Sequence, residues 1–208
     1  MKIKVCGMNN AENIAEISAL NPDFMGFIFY NQSPRYAGNL NPSALDVLPD
    51  GILRVGVFVN AAPDYVLSIA ENYSLNLLQF HGNETPEYCA GFKKNYRTIK
   101  SFGIASPSDF STVSNYERAC DYFLFDTKTK QYGGSGQKFD HSLLNMYKNK
   151  IPFFLSGGIS EHDAAEISKY RHSLCKVLDI NSRFEFSPGI KNYEKIKIFM
   201  DTVRKNNK

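Results

Sequence analysis

Eight short apolar runs alternate along this chain with eight segments of helical pattern, and no long stretch is left over. The strand-like runs fall at 2–6, 24–29, 53–59, 76–80, 97–101, 122–125, 152–156 and 176–180. Most are rich in Val, Ile, Phe or Leu and are bounded by Gly, Pro, Asn or Ser. Helical patterns fill 11–20, 42–48, 63–73, 86–94, 107–115, 140–148, 161–169 and 192–205. Several open on a capping residue followed by proline, as in Asn41-Pro42, Thr85-Pro86 and Ser106-Pro107. Strict alternation implies a parallel sheet, because only a crossover helix can return the chain to the start of the next parallel strand. Eight such units make a closed barrel the simplest solution. The alternative is a doubly wound open sheet, weakened by the absence of a GxGxxG turn after the first run. The expected fold is therefore α/β, a single compact (β/α)8 TIM barrel spanning 1–208. At 208 residues the chain falls below the size of about 250 typical of such barrels, so loops and helices must be trimmed.

Composition narrows the function. Hydrophobic residues make up 43% and charged residues 22%, within the ordinary globular range. The net charge of +3 comes from basic residues spread along the chain. That pattern argues against a nucleic-acid partner and suits a small anionic substrate. No run is long enough for a membrane span. The opening MKIKVCGM reads as a strand, not as a charged head with an apolar secretory segment. Cys6, Cys89, Cys120 and Cys175 are isolated thiols with no CxxC pair, so neither zinc nor redox motifs are expected and a reducing cytoplasm is.

Strand parity predicts a polar barrel interior. If Ile3 and Val5 face the helices, then Lys4 points inward, one layer below Cys6. Arg54, Gln79, Lys100 and Asp126 are assigned the same inward parity. Buried cations need anionic partners, so a paired interior is expected.

In a barrel, active-site groups stand at the carboxyl ends of strands. Cys6 ends the first run, before Gly7. Position alone leaves an inert buried thiol and a reactive base equally open. As a base Cys6 must lose a proton normally held to a pKa of about 8.5, which calls for a cationic neighbour. Lys4 is that neighbour, unless a buried carboxylate neutralises it. Asp126 follows Phe123-Leu124-Phe125, where desolvation raises a carboxyl pKa towards the range of a proton donor. Its bland role is to cap a loop or pair with an interior lysine. Arg35, in Ser33-Pro34-Arg35-Tyr36, offers a fork suited to a carboxylate or phosphate, though alone it reads as a solvated loop arginine. His81 ends the fourth run and reads more readily as a satisfied polar histidine than as a proton shuttle. Gly134-Ser135-Gly136, Gly157-Gly158 and Asp179 with Asn181-Ser182 follow the sixth, seventh and eighth runs. Loops after the last strands of a barrel commonly cradle phosphate with backbone N–H groups.

Taken in order, KVCGM at 4–8, GFIFYNQSPRY at 26–36, RVGVFVN at 54–60 and LLQFHG at 77–82 resemble the phosphoribosylanthranilate isomerase family. LFDTKTKQYGGSGQKFD at 124–140, LSGGI at 155–159 and SPG at 187–189 extend the likeness over nearly the whole chain. The resemblance implies a cofactor-free and metal-free Amadori rearrangement in tryptophan biosynthesis. It further implies Cys6 as general base, Asp126 as general acid and Arg35 as holder of the substrate's aromatic carboxylate. The phosphate then falls to backbone groups near Gly134 to Gly136, Gly157-Gly158 and Asn181-Ser182. One departure stands out: many relatives carry Ser-Gly where this chain has Ser182-Arg183. Arg183 is either a charged phosphate contact or a side chain turned to solvent. A barrel isomerase of the histidine pathway is a weaker reading, since those enzymes pair two carboxylates in duplicated half-barrels. A silent phosphate-ligand binder is the alternative of another class, and it needs neither Cys6 nor Asp126. Monomeric action is expected, because a closed barrel completes its own core.

Overall fold

The computed structural model describes residues 1–127, 141–167, 169 and 172–206. Eight parallel strands close on themselves in chain order, β1 (Lys2–Cys6), β2 (Phe24–Ile28), β3 (Leu53–Phe58), β4 (Leu77–Phe80), β5 (Arg97–Ile104), β6 (Tyr122–Thr127), β7 (Phe153–Leu155) and β8 (Cys175–Ile180). Closure is made by β1 against β8, with Lys4 opposite Asp179. The expected barrel is present, and each strand lies where the apolar runs placed it. Three run further than expected: β5 extends to Ile104, β6 takes Asp126 into the strand itself, and β8 begins one residue early at Cys175.

The helical layer is thinner than its sequence patterns. Full helices form at α1 (Ala11–Ser18), α2 (Pro63–Asn72) and α6 (Tyr193–Lys205), with shorter ones at α3 (Pro86–Ala90), α4 (Phe110–Val113) and α5 (Ala164–Ile167). The second crossover is only a 3-10 turn at Pro42–Leu45, and the sixth shows a 3-10 segment at His141–Met146. Tight i to i+3 turns cover less sheet per residue but need few residues, which is how a short chain surrounds eight strands. The caps behave as expected: Asn41 accepts from Ser43 N, Thr85 from Tyr88 N, and Ser106 forms a reciprocal box with Asp109. α6 buries Ile196, Phe199, Met200 and Val203, an i, i+3, i+4, i+7 stripe laid on the sheet.

Inside the barrel the side chains stack in layers. Phe24, Val55, Leu77, Ile99, Leu124, Phe154 and Val177 form an apolar layer at the amino-terminal end. Above it lies a polar layer. Lys4 Nζ donates to Gln79 Oε1 at 2.8 Å and pairs with Asp179 Oδ1 at 3.0 Å, while Gln79 Nε2 donates to Ser101 Oγ at 3.2 Å. Lys4 therefore points inward and is neutralised by a buried carboxylate. Two other parity assignments are corrected. Val55 and Ile99 occupy the inner layer, so their neighbours Arg54 and Lys100 face the helices. Arg54 Nη2 donates to Leu45 O at 2.9 Å on the outer side. Lys100 Nζ donates to Gly82 O and Ser101 O, each at 2.9 Å, and pairs with Glu84 Oε2 at 3.4 Å. The inward parity of Lys4 does not carry over to these strands, because the stagger of a barrel sets which residue of each strand lies level with it.

One element was not anticipated. After β8 a 3-10 turn (Ser182–Phe184) leads into an antiparallel pair, β9 (Glu185–Ser187) and β10 (Ile190–Lys191), before α6. Asn13 of α1 clamps this pair: its Oδ1 accepts from Lys191 N at 2.7 Å and its Nδ2 donates to Lys191 O at 3.0 Å.

Candidate active site

The carboxyl ends of β1, β2, β6 and β8 converge on one mouth. Cys6 closes β1 opposite Gly26 of β2. A Cβ on Gly26 would stand 2.8 Å from Cys6 Sγ and 3.0 Å from Lys4 Cε, so only glycine leaves room there for both side chains. Gly7 turns the chain at φ +81°, and a Cβ there would meet Arg35 Cδ at 2.7 Å and Asn181 Oδ1 at 2.8 Å. The stem of Arg35 and the amide of Asn181 thus close over the turn that follows Cys6.

Burial sets the proton affinities. It pushes the Cys6 thiol above the ordinary cysteine range, with Asp179 acting in the same direction and Lys4 and Lys191 against it. Lys4 does help ionise Cys6, but burial outweighs that help and the nearby Asp179 adds to the burial effect. Burial likewise pushes the Asp126 carboxyl up to about 6, although its Oδ1 accepts a hydrogen bond from Thr127 N at 2.7 Å. Lys4 and Asp179 act on both groups, which links Cys6 and Asp126 electrostatically through one ion pair. Near neutral pH the resting site therefore holds a thiol and a carboxylate, with one proton between the two groups. Asp179, expected among the substrate contacts, pairs with Lys4 inside the barrel at 3.0 Å.

Arg35 is not a free loop side chain. Its Nε and Nη2 fork onto the Glu185 carboxylate of β9 at 2.9 and 2.7 Å. The same carboxylate accepts from Lys191 Nζ at 2.6 Å and Gly189 N at 3.1 Å. Lys191 Nζ also donates to Asn181 Oδ1 at 2.7 Å. Neither Glu185 nor Lys191 was picked out from the sequence. Their only signal was proximity to the SPG stretch, since a glutamate and a lysine in a polar connection look solvated. His81 sits half-buried above Gln79, whose Nε2 lies 3.1 Å from His81 Nδ1. Burial, with Lys100 and Lys4 nearby, lowers its pKa to about 3, so it stays neutral and presents a hydrogen-bonding edge instead of a charge.

Of the phosphate candidates, Gly134, Ser135 and Gly136 lie outside the described residues. Gly157 and Gly158 both adopt positive φ, +100° and +63°, forming a turn that larger side chains rarely enter. Gly158 lines a cavity of about 360 Å³ together with Ser160, Glu161, His162, Arg183 and Lys195. Asn181 and Ser182 begin the adjoining turn after β8, at the same end of the barrel. A larger cavity of about 770 Å³ opens at the opposite end, around Lys2, Phe24, Tyr122 and Lys176. It is remote from Cys6 and Asp126, at the end of a barrel that serves stability. Among the described residues, no three His, Cys, Asp or Glu groups are placed to hold a metal, and no helix is long and apolar enough to cross a membrane.

A closed parallel barrel with a thiol, a raised carboxyl and an anchored arginine at its carboxyl-terminal mouth defines a barrel enzyme equipped for proton transfer. Residues 3–202 match the family model described as N-(5'phosphoribosyl)anthranilate (PRA) isomerase, and the chain belongs to that family. It is 46% identical over 143 residues to the N-(5'-phosphoribosyl)anthranilate isomerase of Parabacteroides distasonis, a match spanning 67% of this chain and 65% of that relative. Its fold matches the crystal structure of phosphoribosyl anthranilate isomerase from Thermotoga maritima with a TM-score of 0.87 at 31% identity, covering 99% of each chain. A second such structure, in complex with reduced 1-(o-carboxyphenylamino)-1-deoxyribulose 5-phosphate, matches with a TM-score of 0.81 at 28% identity, again over 99% of each chain.

Proposed function

We propose that this chain catalyses the Amadori rearrangement of N-(5-phosphoribosyl)anthranilate to 1-(2-carboxyphenylamino)-1-deoxyribulose 5-phosphate, a step of tryptophan biosynthesis. Asp126 is the general acid and Cys6 the general base. The protonated Asp126 carboxyl gives its proton to the ribose ring oxygen as the bond from that oxygen to C1 breaks. The amine lone pair moves into the C1–N bond and leaves an iminium. Cys6 thiolate then removes the proton from C2, and the electrons of that C–H bond form the C1–C2 double bond of an enolamine. Tautomerisation to the ketone then places a proton on C1 and removes the proton of the C2 hydroxyl; the Cys6 thiol returns the proton it took and the Asp126 carboxylate accepts the other, so both groups end as they began and there is no net redox change. Proton transfers alone complete the sequence.

The observation that carries this reading is the Asp126 carboxyl, held by burial near pH 6 at the mouth that also contains Cys6. Arg35 receives the aromatic carboxylate, His81 offers a neutral hydrogen bond, and Asp179 acts from below through Lys4. The phosphate is assigned to backbone groups of Gly157-Gly158, Asn181-Ser182 and Gly134-Ser135-Gly136, and Arg183, which lines one cavity with Gly158, is a candidate for a further contact. We read residues 1–208 as one catalytic barrel acting as a monomer in the cytoplasm on this small phosphorylated substrate. Closure of the strands within one chain and four buried, unpaired cysteines support that reading. The test is loss of phosphoribosylanthranilate fluorescence on addition of the purified chain in metal-free, nucleotide-free buffer. First-order decay at a rate proportional to enzyme is expected, and a trace identical to the blank refutes the isomerase reading.

A further inference from the structure

The strand pair after β8 inserts two charged, buried side chains into the wall of the mouth. Glu185 is 4% exposed and Lys191 0% exposed, while Arg35 retains 12%. Burying a carboxylate and an ammonium together is costly unless each satisfies its neighbours. Here the carboxylate is saturated by two Arg35 nitrogens, Lys191 Nζ and the Gly189 amide. The backbone of Lys191 is in turn fixed by Asn13 on both its N–H and its carbonyl. Counting charges, Arg35 and Lys191 bring two positive and Glu185 one negative. The cluster keeps one net positive charge, and Arg35 is its most exposed member. A two-residue Arg35–Glu185 pair would have none, and a carboxylate ligand would find its arginine already neutralised.

We infer that Glu185 and Lys191 are positioning residues for carboxylate recognition: Glu185 fixes the direction of the Arg35 guanidinium, and Lys191 cancels the charge of Glu185 so that Arg35 still attracts an anion. This inference rests on the reading of Arg35 as the holder of the substrate's aromatic carboxylate. It places specificity for that carboxylate partly in a strand pair outside the eight-stranded barrel. The reach is short and rigid, through a bidentate fork and a 2.6 Å contact, not through loop motion.

The measurement is a discrimination ratio on the full-length chain. It divides kcat/KM for the anthranilate-derived substrate by kcat/KM for its counterpart built from aniline, which lacks the carboxylate. Lys191→Met is expected to lower this ratio by about tenfold or more because the cluster loses its net positive charge, and Glu185→Gln by a similar factor because Arg35 loses the charged fork that aims it, even though the cluster then gains positive charge. Glu185→Asp and Lys191→Arg, which keep the charges, are expected to recover part of it. General loosening of the fold slows both substrates alike and leaves the ratio at its wild-type value, and that result overturns the inference. Should a methionine or glutamine variant fail to fold, the two charge-conserving variants carry the test. A ratio lowered by about tenfold in Lys191→Arg, as far as Lys191→Met is expected to lower it, shows that the charge of Lys191 is not what matters and likewise overturns the inference. Wild-type protein that turns over neither substrate, and does not bind the reduced product analogue in calorimetry, refutes the reading of the site and this inference with it. Wild-type turnover with unchanged ratios refutes the inference alone.

Discussion

Changing pH perturbs the proposed couple directly, because its two groups hold protons in the opposite order to the one catalysis uses. The Asp126 carboxyl titrates near 6, and the Cys6 thiol above the ordinary cysteine value of 9.0. Between these limits the site carries one proton, which rests on sulfur. The productive arrangement, with the proton on Asp126 and a thiolate at Cys6, has the same proton count. It is the minority form, because burial holds the Cys6 proton more tightly than the Asp126 proton. The expected kcat/KM profile is therefore a plateau with an acid limb near pH 6, where Asp126 gains a second proton for the pair, and a basic limb above the ordinary thiol range. Because the substrate phosphate also titrates near 6, the limb needs independent assignment. Carbon-13 NMR of the protein labelled at aspartate carboxyls supplies it: one resonance is expected to titrate near 6 and to vanish in Asp126→Asn. An Asp126 carboxyl titrating near 4, in the ordinary aspartate range, refutes the reasoning, since burial would then not be preparing a proton donor.

Three further results follow from the same geometry. A carboxyl whose folded pKa is raised favours the folded state fully below the unfolded value of 3.8, and that advantage is lost as pH rises through about 6. Asp126→Asn is accordingly expected to be more stable than wild type at pH 8 by about 1–3 kcal/mol in urea unfolding, after allowance for partial exposure of the site; equal or lower stability contradicts this. Lys4→Met leaves Asp179 buried without its cation and is expected to cost about 3–5 kcal/mol, while Lys4→Met with Asp179→Leu recovers most of the loss. A single variant within about 1 kcal/mol of wild type in the same unfolding assay would show that the interior pair does not hold the barrel. Arg183→Ala is expected to weaken binding of the phosphorylated product by about three- to tenfold at low salt, as measured by calorimetry. Unchanged affinity removes Arg183 from the phosphate site.

Local chemistry made the barrel legible from sequence. Runs such as Phe123-Leu124-Phe125 declare a buried strand, which places Cys6 and Asp126 at strand ends, while their proposed acid and base roles came from the family resemblance. Lys4 was read correctly because Ile3 and Val5 flank it and fix its parity. Arg54 and Lys100 were not, because their parity depends on how far each strand slides past its neighbour, and that stagger is a property of closure, not of any one strand. Glu185 and Lys191 were invisible for a similar reason. Their partner Arg35 lies 150 residues from Glu185, and nothing within 182–191 distinguishes a buried charge cluster from a solvated turn. Gly26 belongs with them: its function is the space it leaves for a thiol on another strand.

The central claim is tested most directly by comparing kcat/KM for phosphoribosylanthranilate, followed by fluorescence, in wild type, Cys6→Ser and Asp126→Asn. Each substitution removes a proton-transfer group and preserves side-chain size, so each is expected to lower kcat/KM by about 10²- to 10⁴-fold with the fold intact by circular dichroism. Turnover within about tenfold of wild type in either variant would contradict the assignment of that residue.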